Sequence, residues 1–307
     1  MKLATTTGDF SIYYQDRSIA APINAFPATP FRHLDMSFYR IIYKDSPWLA
    51  PGDGWKKEVE DSLKLAQTYG YDFVQAHAPD GEHFQDCEAR DALILATKRS
   101  IEACRMLDIP FTVIHCAQCG EGIDRFRKEN IAFLKLFEET AEQSGVDILI
   151  ENSADLWAPQ YYLNSGKLMR EFLDEAQMPR LFLNWDVGHA NVQGLDQYSD
   201  ILAMGDKLRA LHVQDNCGNG DAHAMPMTGT TNFDDLIRGL LQIGYQGPFT
   251  FEGGNTLRHV DAWPFYRRNA KPEDRLANPP LHLQQKQISL MYDTGAWMLE
   301  RYGIPVE

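Results

Sequence analysis

The chain has 307 residues, which is enough for one large domain and exceeds the ~250 residues typical of a (β/α)8 barrel. Its 29 basic and 43 acidic side chains give a formal net charge of −14, which disfavours tight non-specific binding to nucleic acids and anionic membranes. The sequence has neither an apolar run near the ~18 residues of a membrane span nor the apolar core of a signal peptide, so we expect a cytoplasmic protein.

Strand and helix patterns alternate from one end of the chain to the other, which indicates a parallel α/β fold. The predicted strands are residues 2–6, 33–37, 72–76, 111–114, 147–150, 181–185, 208–214 and 248–251. The predicted helices are residues 56–69, 89–107, 124–143, 167–176, 195–204, 234–243 and 283–300. Residues 8–31 read as a long loop, and residues 255–282 as an insertion after the eighth strand.

Eight strands with intervening helices predict a single (β/α)8 TIM barrel that spans residues 1–307. The alternative is a doubly wound open sheet, which normally carries a glycine-rich phosphate-binding turn after its first strand. The turn here is Thr7-Gly8-Asp9, and no G-x-G-x-x-G occurs in the sequence. The sequence therefore favours the barrel, although its second strand is poorly patterned and no helix is predicted before that strand.

Four acidic or imidazole side chains directly follow apolar runs of the predicted strands: Glu151, Asp186, His212 and Glu252. They are separated by 35, 26 and 40 residues, intervals that suit βα units. Two Glu, one Asp and one His that converge on one point form an oxygen and nitrogen site for a divalent metal. A salt bridge or a helix cap would explain any one of them alone, but the four together predict a metal-dependent enzyme.

A second set of side chains lies close to the same predicted strand ends. Its members are His77, His115, His189, Asp221 and His223. Imidazole is the commonest ligand for zinc and similar metals, but a single histidine at such a place is more often a structural or substrate-binding group. These five are therefore either further metal ligands or substrate contacts.

The five cysteines include one C-x-x-C pair, Cys116 and Cys119. This spacing occurs in redox pairs and in halves of zinc sites. No second C-x-x-C is present and there is no secretory signal, so we expect buried, reduced thiols instead.

Taken in order, the strand-end motifs resemble those of the xylose-isomerase-like TIM-barrel superfamily, the sugar phosphate isomerase/epimerase group that includes endonuclease IV. The resemblance covers roughly residues 70–255. Its motifs are Ile-Glu-Asn at 150–152, Asp-x-x-His at 186–189, His-x-x-Asp at 212–215, Asp-x-His at 221–223 and Phe-Glu at 251–252.

The resemblance implies a metal site and roles for individual residues. In the ketose 3-epimerases of this group, residues matching Glu151, Asp186, His212 and Glu252 hold one divalent ion, which could be Mn²⁺, Mg²⁺, Co²⁺ or Zn²⁺ here. The residues matching the two glutamates also move the substrate proton, and the residue matching His189 contacts the substrate. In endonuclease IV, residues matching all nine positions named above bind three zinc ions.

The sequence thus predicts a metal-dependent isomerase or epimerase that acts on a small sugar or sugar phosphate by proton transfer through an enediolate. Aromatic side chains could stack on the sugar ring, with Phe10, Trp157, Trp185 and Trp263 as candidates. The two long segments, residues 8–31 and 255–282, could form a lid or the contact of a homo-oligomer.

Three alternatives remain open from the sequence. A dehydratase acting on an inositol-like keto sugar would use the same metal and the same proton abstraction. An endonuclease IV-like hydrolase would need a basic surface, for which the sequence offers Arg258, Arg267, Arg268 and Lys271, against the net charge of −14. A binding protein without activity would be expected to lose ligands, whereas all nine positions are retained.

Overall fold

Eight parallel strands form the centre of the molecule in this computed structural model, which describes residues 1–120, 122–152, 161–258 and 274–307. The strands are β1 Leu3–Thr6, β2 His33–Ser37, β3 Asp72–His77, β4 Phe111–Val113, β5 Asp147–Glu151, β6 Leu181–Asp186, β7 Leu208–His212 and β8 Phe249–Phe251. They are hydrogen-bonded in the order β7-β6-β5-β4-β3-β2-β1-β8.

The sheet closes on itself between β7 and β8. The backbone N–H of Val213 donates to the carbonyl of Thr250 at 2.7 Å, and the N–H of Glu252 donates to the carbonyl of Val213 at 3.1 Å. These bonds join the two ends of the strand order into a ring. The predicted TIM barrel is confirmed, and the alternative of an open sheet is wrong.

The described α-helices follow the strands along the chain. They are α1 Lys56–Tyr69, α2 Glu88–Met106, α3 Ile123–Lys135, α4 Glu138–Ser144, α5 Gly166–Ala176, α6 Val187–Val192, α7 Gln197–Met204, α8 Phe233–Ile243 and α9 Leu281–Arg301. Helices α1 and α8 end at Gly70 and Gly244 in the left-handed conformation that glycine adopts without strain. In the described ranges, no helix is long and apolar enough to cross a bilayer.

Three local features differ from the sequence prediction. The segment 8–31, predicted as loop, contains two 3-10 helices, Thr7–Tyr13 and Ala21–Ala28. The single helix predicted over residues 124–143 is two helices, α3 and α4, and the break between them holds the fully buried ring of Phe137 against Phe133. Helix α6 was not predicted because it has only six residues, too few for a periodic pattern.

The barrel interior changes from apolar to polar along the strands. Val113, Leu149 and Ala210 form a small apolar cluster of their own, separate from the main core. Alternate residues of a strand share a face, so Glu151 lies on the same face as Leu149, and His212 on the same face as Ala210. The strand pattern therefore directs these polar side chains into the carboxyl end of the barrel.

All five cysteines are free. Cys116 is buried, and burial raises the pKa of its thiol, whereas Cys119 is partly exposed. The thiols of the C-x-x-C pair are therefore unpaired, as expected, although only Cys116 is fully buried.

Gly295 of α9 lies directly against β8. A Cβ atom at this position would stand 2.3 Å from Cζ of the buried ring of Phe251. We predict that Gly295→Ala lowers the free energy of unfolding by roughly 1–2 kcal/mol, because overpacking outweighs the better helix propensity of alanine.

Chemical denaturation measures this difference, and Gly54→Ala is the matched control. No atom lies within 4 Å of a Cβ added at Gly54, so its stability should change by less than about 0.5 kcal/mol. Equal stability of the two variants would contradict the close packing of α9 on β8.

Candidate active site

A cavity of about 410 Å³ lies at the carboxyl end of the barrel strands. This volume is in the range of small-molecule sites. Seven of the nine predicted site residues line it: His77, His115, Glu151, His189, Asp221, His223 and Glu252. The other two, Asp186 and His212, are fully buried among their neighbours.

His212 stands between the two predicted catalytic glutamates. Glu151 Oε2 is 2.7 Å from Nδ1 of His212, and Glu252 Oε1 is 3.6 Å from its Nε2. Ligand atoms of Glu151, Asp186 and His212 all lie within 4.8 Å of one another. The structure therefore brings three of the predicted metal ligands into one group and places the fourth, Glu252, across the imidazole.

Asp186 is held in place by Asn152, the last residue of the Ile-Glu-Asn motif. The Asn152 side chain accepts from the backbone N–H of Asp186 at 2.7 Å and donates to its carbonyl at 2.9 Å. One carboxylate oxygen of Asp186 caps α6 by accepting from the N–H of His189. The other, Oδ2, is buried and has no hydrogen bond within the described residues. An orphaned buried oxygen of this kind suits a metal ligand.

Three histidines of the second set are oriented in the same way. In His77, His189 and His223, Nδ1 faces a backbone carbonyl, so that Nε2 is the ring nitrogen that faces the other potential ligands. The accepting oxygens belong to Ala78, Asn152 and Glu252, at 2.8, 2.7 and 3.0 Å. Metal-ligating imidazoles commonly donate their second ring N–H in this manner.

The second set forms two further groups of potential ligands. His77 Nε2 is 3.0 Å from His115 Nε2, and the latter is 3.9 Å from Glu151. Asp221 Oδ2 is 2.9 Å from His223 Nε2 and 3.4 Å from His189 Nε2. The second set therefore lies on the cavity wall together with Glu151 and Glu252, while Asp186 and His212 are buried beside Glu151.

The loop that carries Asp221 and His223 is held over the end of β7. Asp215 pairs with Ala224 through an antiparallel bridge, and its carboxylate accepts from the N–H of Gly229 at 2.7 Å. His223 has a φ of 45°, an uncommon backbone conformation for a residue other than glycine. The Asp-x-His pair is thus positioned by the Asp215 of the preceding motif.

The site favours positive charge. Burial alone would lower the pKa of His212, but the charges of Glu252 and Glu151 raise it to about 10. Asp221 similarly outweighs burial and raises the pKa of His223 to about 10. His77 differs: burial, followed by the charges of His115 and His212, lowers its pKa to about 3. The carboxylates that stabilise these protonated imidazoles would also stabilise a bound cation.

The two glutamates differ in their affinity for a proton. Burial raises the pKa of Glu252 to about 7. Burial of Glu151 is outweighed by His212 and His189, which hold the pKa of that carboxyl well below its usual range. Paired acids with separated pKa values are typical of acid–base sites.

Sequence reasoning missed a layer of polar side chains below the site. Asn184 donates to Glu151 Oε2 at 2.8 Å, and the amide nitrogen of Gln75 is 2.7 Å from Nε2 of His212. Asp35 is fully buried, and one of its oxygens lies within 4.8 Å of ligand atoms of His212 and Glu252. The available signal was a polar residue at an inward position of β2, β3 and β6.

The prediction that Trp185 contacts the substrate was wrong. Trp185 lies between the inward-facing Asn184 and Asp186, so alternation along β6 directs it outward. It is fully buried, and its indole N–H donates to Gln197 at 2.8 Å. Phe10 is also buried in the core, whereas Trp157 and Trp263 lie outside the described residues.

A family model of the xylose isomerase-like TIM barrel matches residues 41–271. The chain belongs to this family. An L-ribulose 3-epimerase of Methylomonas sp. (strain DH-1) is 28% identical over 217 residues, which cover 65% of this chain and 70% of that protein. A fructoselysine 3-epimerase of Shigella flexneri is 28% identical over 205 residues, covering 63% and 72%.

Solved structures of the same fold cover nearly the whole chain. A D-tagatose 3-epimerase-like protein superposes with a TM-score of 0.71 and 17% identity, covering 98% of this chain and 100% of that one. The IOLI protein with a bound zinc atom also has a TM-score of 0.71, with 16% identity and coverage of 98% and 99%. At these identities the similarity establishes the shared barrel fold.

Asp9 is a further carboxylate of the cavity wall that sequence reasoning did not select. It is only 4% exposed, and burial raises its pKa from 3.8 to about 6. A hydrogen bond from Thr5 and the charges of Arg258 and His223 act in the opposite direction, while Asp35 adds to the rise. Because the folded pKa is the higher one, Asp9 stabilises the fold at low pH and loses this contribution as the pH rises through about 6.

We therefore predict that Asp9→Asn gains stability relative to the parent protein as the pH rises. The difference between their free energies of unfolding should shift by about 1 kcal/mol in favour of Asp9→Asn between pH 5 and pH 8. Denaturation of the metal-free proteins at both values measures it. A difference independent of pH would show that the Asp9 carboxyl is not perturbed.

Proposed function

We propose that this protein is a divalent-metal-dependent epimerase of keto sugars that moves the proton on the carbon next to the carbonyl. The main supporting observation is that Glu151 and Glu252 reach one cavity from β5 and β8, with His212 between them. The 3-epimerases similar to this chain suggest a ketose substrate and carbon 3 as the reacting position.

The residues that would hold the cation are Glu151, Asp186, His212 and Glu252. Their fit is supported by the orphaned Oδ2 of Asp186 and by the raised pKa of His212, which indicates a demand for positive charge. A divalent cation bound there would supply Lewis acidity that lowers the pKa of the proton beside the sugar carbonyl. The donor set of oxygens and one imidazole suits Mn²⁺, Mg²⁺, Co²⁺ or Zn²⁺.

The glutamates would act as a pair of acid–base groups. One removes the proton from one face of the substrate carbon, and the other returns a proton to the opposite face. Asn184 donates a hydrogen bond of 2.8 Å to Oε2 of Glu151, and Nδ1 of His212 lies 2.7 Å from the same oxygen, so both would hold this carboxylate in place. The side chain of Glu252 is 14% exposed, which leaves it accessible from the cavity. His189, also on the cavity wall, would contact a substrate oxygen.

We predict that Glu151→Gln and Glu252→Gln each lower the rate of deuterium exchange at carbon 3 by at least ~100-fold, because an amide cannot take up the proton. The experiment follows D-allulose and D-fructose, a pair of 3-epimers, in D2O by NMR. Each variant should show the larger loss with a different epimer, since the two glutamates serve opposite faces.

Glu142→Gln, at an exposed position of α4, is the matched control and should exchange at the parent rate. Undiminished exchange in both active-site variants would rule out the two-carboxylate mechanism. The same spectra detect loss of a hydroxyl, the outcome expected of a dehydratase.

We predict that removal of metal by a chelator abolishes epimerisation and lowers thermal stability. Readdition of Mn²⁺ or Co²⁺ at about 100 times its dissociation constant should stabilise the fold by about 2.7 kcal/mol. Asp186→Asn keeps an acceptor for the α6 cap but removes the ligand charge, so it should lose this stabilisation. A parent protein that keeps full activity without bound metal would contradict the proposal.

A second candidate, phosphodiester hydrolysis, is favoured by the two additional ligand groups around the cavity. Of the basic residues that could contact DNA, Arg258 lines the cavity, while Arg267, Arg268 and Lys271 lie outside the described residues. The net charge of −14 opposes DNA binding. Elemental analysis separates the two functions: one ion per chain supports the epimerase, whereas three ions and nicking of abasic-site DNA support the hydrolase.

A further inference from the structure

Asp9 lies on the cavity wall beside the Glu252 end of the site. It belongs to the 3-10 helix Thr7–Tyr13 that follows β1. A Cβ atom at Gly254 would stand 2.1 Å from Oδ1 of Asp9, so this carboxylate rests on the backbone two residues beyond Glu252. Asp9 is therefore close to the reacting end of the cavity without belonging to the predicted metal ligands.

The Asp9 side chain is held rigidly. Its Oδ2 accepts a hydrogen bond of 2.7 Å from the hydroxyl of Thr5, which is itself fully buried in β1. Its backbone carbonyl accepts from Nη1 of Arg258 at 3.2 Å. Because Gly254 has no side chain, Oδ1 can approach the backbone there. An acceptor fixed in this way needs no reorganisation when a ligand binds.

The Asp9 carboxylate has acceptor capacity to spare. An ionised carboxylate accepts about four hydrogen bonds. Within the described part of the chain, the hydroxyl of Thr5 is the one hydrogen-bond donor to this carboxylate. Buried polar groups normally find partners, so this carboxylate suits a ligand that brings its own donors. Hydroxyl groups are such donors, whereas a phosphate or carboxylate placed against Asp9 would be repelled.

We propose that Asp9 determines substrate specificity by accepting a hydrogen bond from a sugar hydroxyl beyond the reacting carbon. The proposal rests on the epimerase function and narrows its substrate class to ketoses that carry a free hydroxyl at this point. Asp9 acts on binding rather than on proton transfer. Thr5 is a positioning residue, because it acts through Asp9.

The test compares the best ketohexose among D-fructose, D-allulose and D-tagatose with its 4-, 5- and 6-deoxy analogues. In the parent protein, one analogue should lose at least ~100-fold in kcat/KM, because its missing hydroxyl leaves a buried carboxylate unpaired. Asp9→Ala should raise KM for the full sugar by about 10- to 100-fold with a smaller change in kcat. Discrimination against that same analogue should fall to within about 10-fold.

Two further variants keep the result interpretable if Asp9→Ala folds poorly. Asp9→Asn preserves the shape of the side chain and should lose part of the discrimination against the deoxy analogue. Thr5→Val should weaken this discrimination, because it removes the hydroxyl that positions Asp9. Thr5→Ser, which keeps the hydroxyl, should restore it. Asp91→Asn, at an exposed position of α2, should match the parent protein. Two results would overturn the Asp9 proposal while leaving the proposed function intact. One is a folded Asp9 variant that still discriminates against the deoxy analogue as strongly as the parent protein does. The other is a variant in which kcat falls but this discrimination is unchanged. A parent protein that epimerises none of the three sugars would overturn the proposed function and this inference together.

Discussion

The burial of several carboxylates at one end of a closed barrel is the constraint on which the rest of the site depends. Glu151 is 2% exposed, and Asp35 and Asp186 are wholly buried. Ionised groups cost several kcal/mol to bury unless opposite charge lies beside them. His189, His212 and His223, whose pKa values the neighbouring carboxylates raise, satisfy this need by binding protons, and the proposed cation would satisfy it more directly. The alternation of acids and imidazoles around the cavity follows from that requirement.

The sequence predicts the fold and the converging residues well because both depend on local pattern. Each of Glu151, Asp186, His212 and Glu252 ends or directly follows an apolar run, and parallel strands in a barrel bring such positions to one face. The sequence also contains the information that Trp185 points outward, because successive residues of a strand face opposite sides and Asp186 faces inward. The prediction of a substrate contact was wrong because the aromatic character of Trp185 does not determine its direction, whereas its position in the strand does.

Other features depend on contacts between distant segments and leave no periodic signal. Asp9 belongs to a stretch without helical or strand pattern, and its place on the wall is set by Thr5 in the first strand and Gly254 after the last. Gln75 reaches His212 across 137 residues of chain. The break between α3 and α4 depends on the burial of Phe137, which only the packed core determines.

The bonds between β7 and β8 have a consequence for how activity is acquired during refolding. Those bonds involve Val213, Thr250 and Glu252, so the seam between β7 and β8 includes one of the proposed acid–base groups. A partly assembled chain with β5 to β7 in register would already gather Glu151, Asp186 and His212. The proposed epimerisation would require this seam as well, because the backbone of Glu252 is part of it. During refolding, the return of the proposed activity would therefore be a more specific measure of ring closure than the return of secondary structure.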